Sequence, residues 1–348
     1  MAGPAASGTV RVSTAELRGL LQYEPRDLTV SVEAGVSLAA LNKELARNNQ
    51  MLPLDGAWSD TATVGGTVAA NISGYRRRLY GTVRDFVIGM RFATLEGKFV
   101  DTGGMVVKNV AGLDMAKIMI GSFGTLAAVV SVNFKVVPRP AAATTILFSF
   151  PDIAAAMAVR DVAIRGFLSP AAVDVLNPVL AAQLNLKGYV LAMLFNGNQQ
   201  MMERARREAA TWGAARELSP EEESRFWHSL DAVTPRHLEK FRDGAVVRLS
   251  GTITACGEAM SSADTACHAH AGSGIVRAWF SRPDAAARWL SQNLKRGFKG
   301  VIECSGEGAK SQLSLWPEPG PDFAIMKKIK QMFDPEGLLN RGRFYAHI

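Results

Sequence analysis

With 348 residues, 48% of them hydrophobic, the chain is long enough for two domains and rich enough in apolar side chains to give each a core. Its net charge of +7 is spread along the sequence without interleaved aromatics, which argues against nucleic-acid binding and leaves acidic or phosphate-bearing ligands as the charge-compatible class. No apolar run is long enough for a membrane span, no charged-then-apolar leader opens the sequence, and three cysteines (Cys256, Cys267, Cys304) make neither a disulfide framework nor a four-thiolate iron–sulfur site, so a reducing cytoplasm is the expected setting.

Taken in order, LTVSVEAG (28–35) alternates as a half-buried strand does. Ser37 is then placed as an N-cap, and Leu38, Leu41 and Leu45 mark one face of a helix. Pro53 and Gly56 turn the chain into a glycine-punctuated stretch from Thr61 to Pro138. Gly65-Gly66 lead into a helix-compatible run, TVAANIS, whose first N–H groups are expected to be open to an anion or a polar ring edge. DFVIGMRFATLEGKFVD predicts two strands about a Glu96-Gly97 turn, NVAGLDMAKIMIGS a short helix, and TLAAVVSVNFKVV a long strand stopped by Pro138 and Pro140. VPRPAAATT marks a crossing between domains.

Beyond it, ILFSF, AAVDVLN, YVLAMLFNG, AVVRLSG, GIVRAWF and GVIECSG read as strands. PDIAAAMAVRDVAIRG, with Pro151 and Asp152 in its first turn, reads as a helix, as do NQQMMERARREAATWG (closed by Gly213), SPEEESRFWHSLDAV and PDAAARWLSQNLKR. This spacing predicts an antiparallel sheet backed by helices. The tail reads as a helix stopped near Asp334-Pro335 and then a loop.

The order TVGG, AANISG, YG, DFVIGM, LEGK, KNVAGLD, GSFGTL resembles the second half of the FAD-binding domain of the vanillyl-alcohol oxidase, or PCMH, type. Within that group, YEPRDLTVSVEAGVSL, QMLPLDG, GTVRDFV, VVKNVAGLD and the closing FDPEGLLNRGRFYAHI are most similar to the FAD-binding (E) subunits of bacterial glycolate oxidases, over residues 19–140 and 326–348. The resemblance implies an α+β fold in three parts. Residues 1–140 are a PCMH-type FAD-binding domain, N-terminally short because its first strand–helix–strand unit is lacking. Residues 141–315 are an α+β antiparallel-sheet cap, and residues 316–348 return to the FAD domain.

It also implies non-covalent FAD, held mainly by backbone groups of Thr61, Thr63, Val64, Gly65 and Gly66. Asn71, Ser73 and Gly74 follow on the next turn, Pro53 lies near the ring, and Val129 offers backbone bonds from the late strand. Asn71 is alternatively a plain turn former, and Lys108 and Asp114 are alternatively surface charges flanking a helix. The glycine-rich turn that wraps the pyrophosphate in this group is expected upstream of residue 19. Gly3 and Gly8 do not make it, and no GxGxxG or P-loop elsewhere replaces it. The first histidine is His228, so residues 19–140 offer none for a histidyl–flavin bond, and the flavin is expected to leave the denatured chain.

Relatives that oxidise D-2-hydroxy acids typically carry HAGDGNxH in the cap, with two histidines helping to hold a metal. The matching run here is His270-Ala271-Gly272-Ser273-Gly274-Ile275-Val276-Arg277, in which the second histidine has become an arginine without a lone pair. No metal is therefore expected. The spacing of Cys256, Cys267, His268 and His270 matches no zinc finger and reads as a short polar loop. Arg277 is expected on a solvated face, with a carboxylate anchor as the alternative, and no catalytic residue is assigned. The implied function is that of an FAD-binding subunit in a glycolate oxidase complex, oxidising a small 2-hydroxy acid, glycolate, to glyoxylate. Its implied partners are a homologous catalytic flavin subunit and an iron–sulfur subunit, in the cytoplasm or peripheral at the inner membrane through them. Two alternatives stand beside it: a scaffold subunit that has lost FAD, and a stand-alone D-2-hydroxy-acid dehydrogenase.

Overall fold

The computed structural model describes residues 8–58, 60–106, 114–309 and 312–345. The chain divides into two compact units. The terminal unit comprises Ala2–Gly74, Gly81–Arg139 and Trp316–Ile348, and the central unit comprises Tyr75–Tyr80 and Pro140–Leu315.

The terminal unit is built on a five-stranded antiparallel sheet. Its strands are β1 (Leu20–Glu24), β2 (Thr29–Glu33), β4 (Val87–Ala93), β5 (Phe99–Gly103) and β6 (Ala128–Lys135), in the order β1-β2-β6-β4-β5. Two short strands, β3 (Gln50–Met51) and β7 (Val137–Pro138), pair separately. Val30 faces Phe134 and Val32 faces Val132 across β2 and β6, and all four are fully buried. The Leu38–Ala46 helix starts where Ser37 caps it, its hydroxyl accepting from the Ala40 amide at 3.1 Å. Leu38, Leu41 and Leu45 form its buried face, and complete burial stabilises each leucine by about 1.5–3 kcal/mol. The Val64–Ala70 helix packs on β2 and β6. The Phe323–Phe333 helix ends at Asp334, as its Asp-Pro stop predicts.

The central unit is an eight-stranded antiparallel sheet. Its strands are β8 (Ala142–Phe150), β9 (Ala172–Leu176), β10 (Tyr189–Gly197), β11 (Ala215–Glu217), β12 (Ala245–Ser250), β13 (Ala266–His270), β14 (Ile275–Phe280) and β15 (Lys299–Ser305). They lie in the order β11-β8-β10-β9-β13-β14-β12-β15. One face is covered by the helices Ile153–Arg165, Gln199–Trp212, Cys256–Ser261 and Pro283–Lys295 over a large apolar core. The other face receives the helices Pro178–Gln183 and Pro220–Asp231, with Leu176, Val190, Leu194, Trp227 and Trp279 in its core. Tyr75 joins this side by stacking on Trp227 at 4.2 Å, and the Tyr80 hydroxyl accepts from Asn196 Nδ2 at 3.0 Å.

Three expectations need correction. Asp152 is the N-cap of the Ile153–Arg165 helix rather than part of its first turn, because its carboxylate accepts from the Ala155 amide at 2.8 Å. The stretch around His268 and His270 is the central strand β13 and not a polar loop, since neighbours on both sides supply its backbone partners. The Pro178–Gln183, Val233–Lys240 and Cys256–Ser261 helices were not anticipated; each is too short to show a periodic apolar stripe. Among the described residues no helix is long and apolar enough to cross a membrane.

Candidate functional site

In the terminal unit, Thr63 holds an extended conformation and its hydroxyl accepts from the Gly66 amide at 3.2 Å, which starts the Val64–Ala70 helix. The amides expected to be open there are already bonded. Val64 N donates to Val36 O and Gly65 N to Ala34 O, both at 2.8 Å, while Thr61 N and Ala62 N both donate to Trp58 O at 2.9 and 2.7 Å. This corrects the expectation of free N–H groups: the helix start is stitched to the end of β2. Gly65 is there for packing, because a Cβ would stand 2.8 Å from that of Ala34. Gly74 has φ +67°, and a Cβ there would stand 2.6 Å from the Asp55 carbonyl carbon.

Asn71 closes the helix in the left-handed region with φ 53° and is exposed. The turn after Gly121 docks on that helix end, with Gly121 N bonded to Val68 O at 3.1 Å and Phe123 N to Ala69 O at 2.9 Å. Ser73 is buried and its hydroxyl accepts from Val83 N at 3.2 Å. Pro53 is buried on the segment leading to Gly56, whose Cβ direction meets Ile72, and Val129 lies on β6 opposite Phe92. The segments 53–56, 61–74 and 121–125 are thus brought together in one unit. They offer a ligand carbonyls and the exposed side chains of Thr61 and Asn71, a set that suits the donor- and acceptor-rich edge of a flavin. Lys108 lies outside the described residues, and Asp114 is an exposed carboxylate 3.9 Å from Lys117.

Burial pushes the three thiols up, Cys256 to about 11 and Cys304 to about 12, with Cys267 shifted in the same direction. All three are therefore protonated and poor nucleophiles toward a flavin.

In the central unit, cross-strand register puts Leu176, His268, Arg277 and Arg248 in one row on the face opposite the four covering helices, with Asp174 and His270 paired beside them. Asp174 is 0% exposed. Its carboxylate accepts from His268 Nε2 at 2.8 Å and from His270 Nδ1 at 3.0 Å. His270 Nε2 in turn accepts from Arg277 Nη1 at 2.8 Å. The same guanidinium donates through Nε and Nη2 to Glu303 at 2.6 and 3.2 Å, and Arg248 reaches Glu303 at 3.2 Å. Glu303 is the bulged residue of β15, where the register with β12 slips, and this lets it join the row. Arg277 is thus 19% exposed and ion-paired, which corrects the solvated-face expectation.

Burial alone would raise Asp174, yet the two histidines that donate to it hold it well below the usual carboxylate range, at about 2. Burial also pushes His270 down, toward its neutral form. His270 is therefore a neutral donor to a carboxylate anion. The turn after His270 is gripped from two sides: Arg160 Nη1 donates to Ala271 O at 2.9 Å and Arg78 Nη1 to Gly272 O at 3.3 Å.

Asp174, Glu303 and Arg248 were missed from the sequence. The available signal was a carboxylate inside AAVDVLN, every residue of which is buried, because a charge there persists only when paired.

A family profile for an FAD binding domain matches residues 1–103, and one for the C-terminal domain of FAD linked oxidases matches residues 310–344. The chain is 29% identical over 340 residues to the glycolate oxidase subunit GlcE of Escherichia coli (strain K12), covering 95% of this chain and 86% of that protein. It is 26% identical over 381 residues to a D-2-hydroxyglutarate dehydrogenase of Xanthomonas citri pv. viticola, covering 98% and 80%. Among solved structures, an alkyldihydroxyacetonephosphate synthase superposes with a TM-score of 0.67 at 19% identity, over 94% of this chain and 66% of its own length, which speaks to the fold alone. Both ends of the chain match FAD-specific domains, and the resemblance read from its glycine order leads to the same place: the chain is an FAD-linked oxidoreductase with a PCMH-type FAD-binding domain, and FAD is its cofactor.

Proposed function

We propose that this chain is the FAD-holding subunit of a complex that oxidises glycolate to glyoxylate beside a homologous catalytic flavin subunit and an iron–sulfur subunit. What carries the reading is the end-to-end similarity to a protein named as a glycolate oxidase subunit. Bound FAD supplies a two-electron acceptor for hydride from the α-carbon. Thr61, Thr63, Val64, Gly65, Gly66, Asn71, Ser73, Gly74, Pro53 and Val129 are the residues assigned to hold it. The amides of Thr61, Val64, Gly65 and Gly66 are engaged within the chain, so these residues act through carbonyls and the Thr61 side chain. With three cysteines, too few for a four-thiolate cluster, the chain needs another protein to pass electrons through iron–sulfur clusters.

A second reading, in which the chain itself oxidises a 2-hydroxy acid, is favoured by its similarity over 98% of its length to a protein named as a D-2-hydroxyglutarate dehydrogenase. Anaerobic addition of glycolate or D-2-hydroxyglutarate, followed by flavin absorbance, tests both. Under the first reading the flavin bleaches only in the assembled complex. Bleaching of the isolated chain supports the second. An assembled complex that no 2-hydroxy acid reduces contradicts both.

A further inference from the structure

The centre formed by Asp174, His268 and His270 has the donor atoms of a metal site. One ligand atom from each lies within 4.8 Å of the others, and carboxylate with imidazole is a zinc-compatible set. The residues nevertheless do not fit a metal, and the reason is a tautomer. A cation on His270 Nδ1 needs that nitrogen bare, which moves the ring proton to Nε2. Nε2 then becomes a donor and requires an acceptor. What stands 2.8 Å from it is Arg277 Nη1, and a guanidinium carries five donors and no acceptor. Arg277 is also held in place, because its Nε and Nη2 both donate to the partly buried Glu303. Its permanent positive charge further opposes a divalent cation on the same imidazole.

We propose that Arg277 is the built-in cation of this centre. With Arg248 on Glu303 as a second cation, it balances the two carboxylates; it also fixes His270 as the Nδ1–H tautomer and keeps divalent metals out. His270 then always donates to Asp174 and never ligates. This inference concerns the chain's own residues and holds whichever substrate is oxidised.

The test uses the full chain with its flavin, stripped with a chelator, dialysed, and titrated with zinc against a chromogenic indicator. The wild type is expected to take up no zinc at the His270 ring. Arg277→Gln is expected to take up zinc stoichiometrically, because the glutamine carbonyl accepts from Nε2–H and the positive charge is gone. Wild-type uptake that His270→Asn abolishes would overturn the proposal, as would a folded Arg277→Gln chain, judged by near-ultraviolet circular dichroism, that gains none. Should Arg277→Gln fail to fold, long-range proton–nitrogen spectra of the wild type decide. A protonated Nδ1 and a bare Nε2 on His270 support the assignment, and the reverse tautomer refutes it.

Discussion

Asp174 interrupts a strand of valines and alanine and is tolerated because two imidazoles donate to it. The cost of that arrangement shows in the pH dependence. Burial holds His270 below its ordinary value, and it does the same to His237, whose ring contacts the Phe280 carbonyl at 2.9 Å. Between the unfolded value of about 6.5 and the lower folded values, the unfolded chain binds more protons, so stability falls as pH falls. Asp174 acts at lower pH: its depressed folded value gives stability that is present above its unfolded value, about 3.9, and lost toward about 2. Thermal melts should therefore show Tm declining as pH drops below neutrality, and a flat profile would contradict the buried neutral histidines. Gly74→Ala forces a side chain into left-handed backbone and against Asp55, so it should destabilise by about 1–2 kcal/mol for conformation and a further 1–3 for overpacking. Urea unfolding measures this. His270 and Arg277 were visible in the sequence through a motif, whereas Asp174 and Glu303 lie 96 and 26 residues from their partners and only the folded sheet brings them there.

At the scale of elements, the longer helices were located by one apolar face, and most strands by short apolar runs between turn signals, since the central sheet is covered on both faces. It failed at β13, where ACHAH has no β-branched residue and is buried throughout, so no alternation remains to be read. It also failed on the start of the Val64–Ala70 helix, where Gly65-Gly66 suggested an open anion site. Which amides are spent depends on the docking of β2, and no local pattern encodes that. The tail depends on a similar long-range contact. Lys330 is buried and donates to Thr125 O at 2.7 Å, to Leu339 O at 3.1 Å and to Asp334, which also accepts from Leu338 N and Leu339 N. Lys330→Met leaves Asp334 buried without its cation and should cost about 3–5 kcal/mol. Hydrogen exchange should show residues 334–340 losing protection first, and unchanged exchange there would contradict the tail's dependence on Lys330.

For the whole molecule, the proposed division of labour is an FAD-holding chain that relies on partners for iron–sulfur electron transfer. The segment Tyr75–Tyr80 belongs with the central unit although the residues on both sides belong to the terminal one. Six residues crossing over and returning leave no composition shift, so the sequence alone could not reveal it. The flavin should be held without a covalent bond, since residues 19–140 contain no histidine and burial pushes all three thiols up, keeping them protonated. The most direct test is the visible spectrum of the chain purified with its partners, followed by acid precipitation and assay of both fractions. A flavin spectrum near one FAD per chain, with the flavin recovered in the supernatant, is the predicted result. A colourless chain, or flavin that stays with the precipitate, would contradict it.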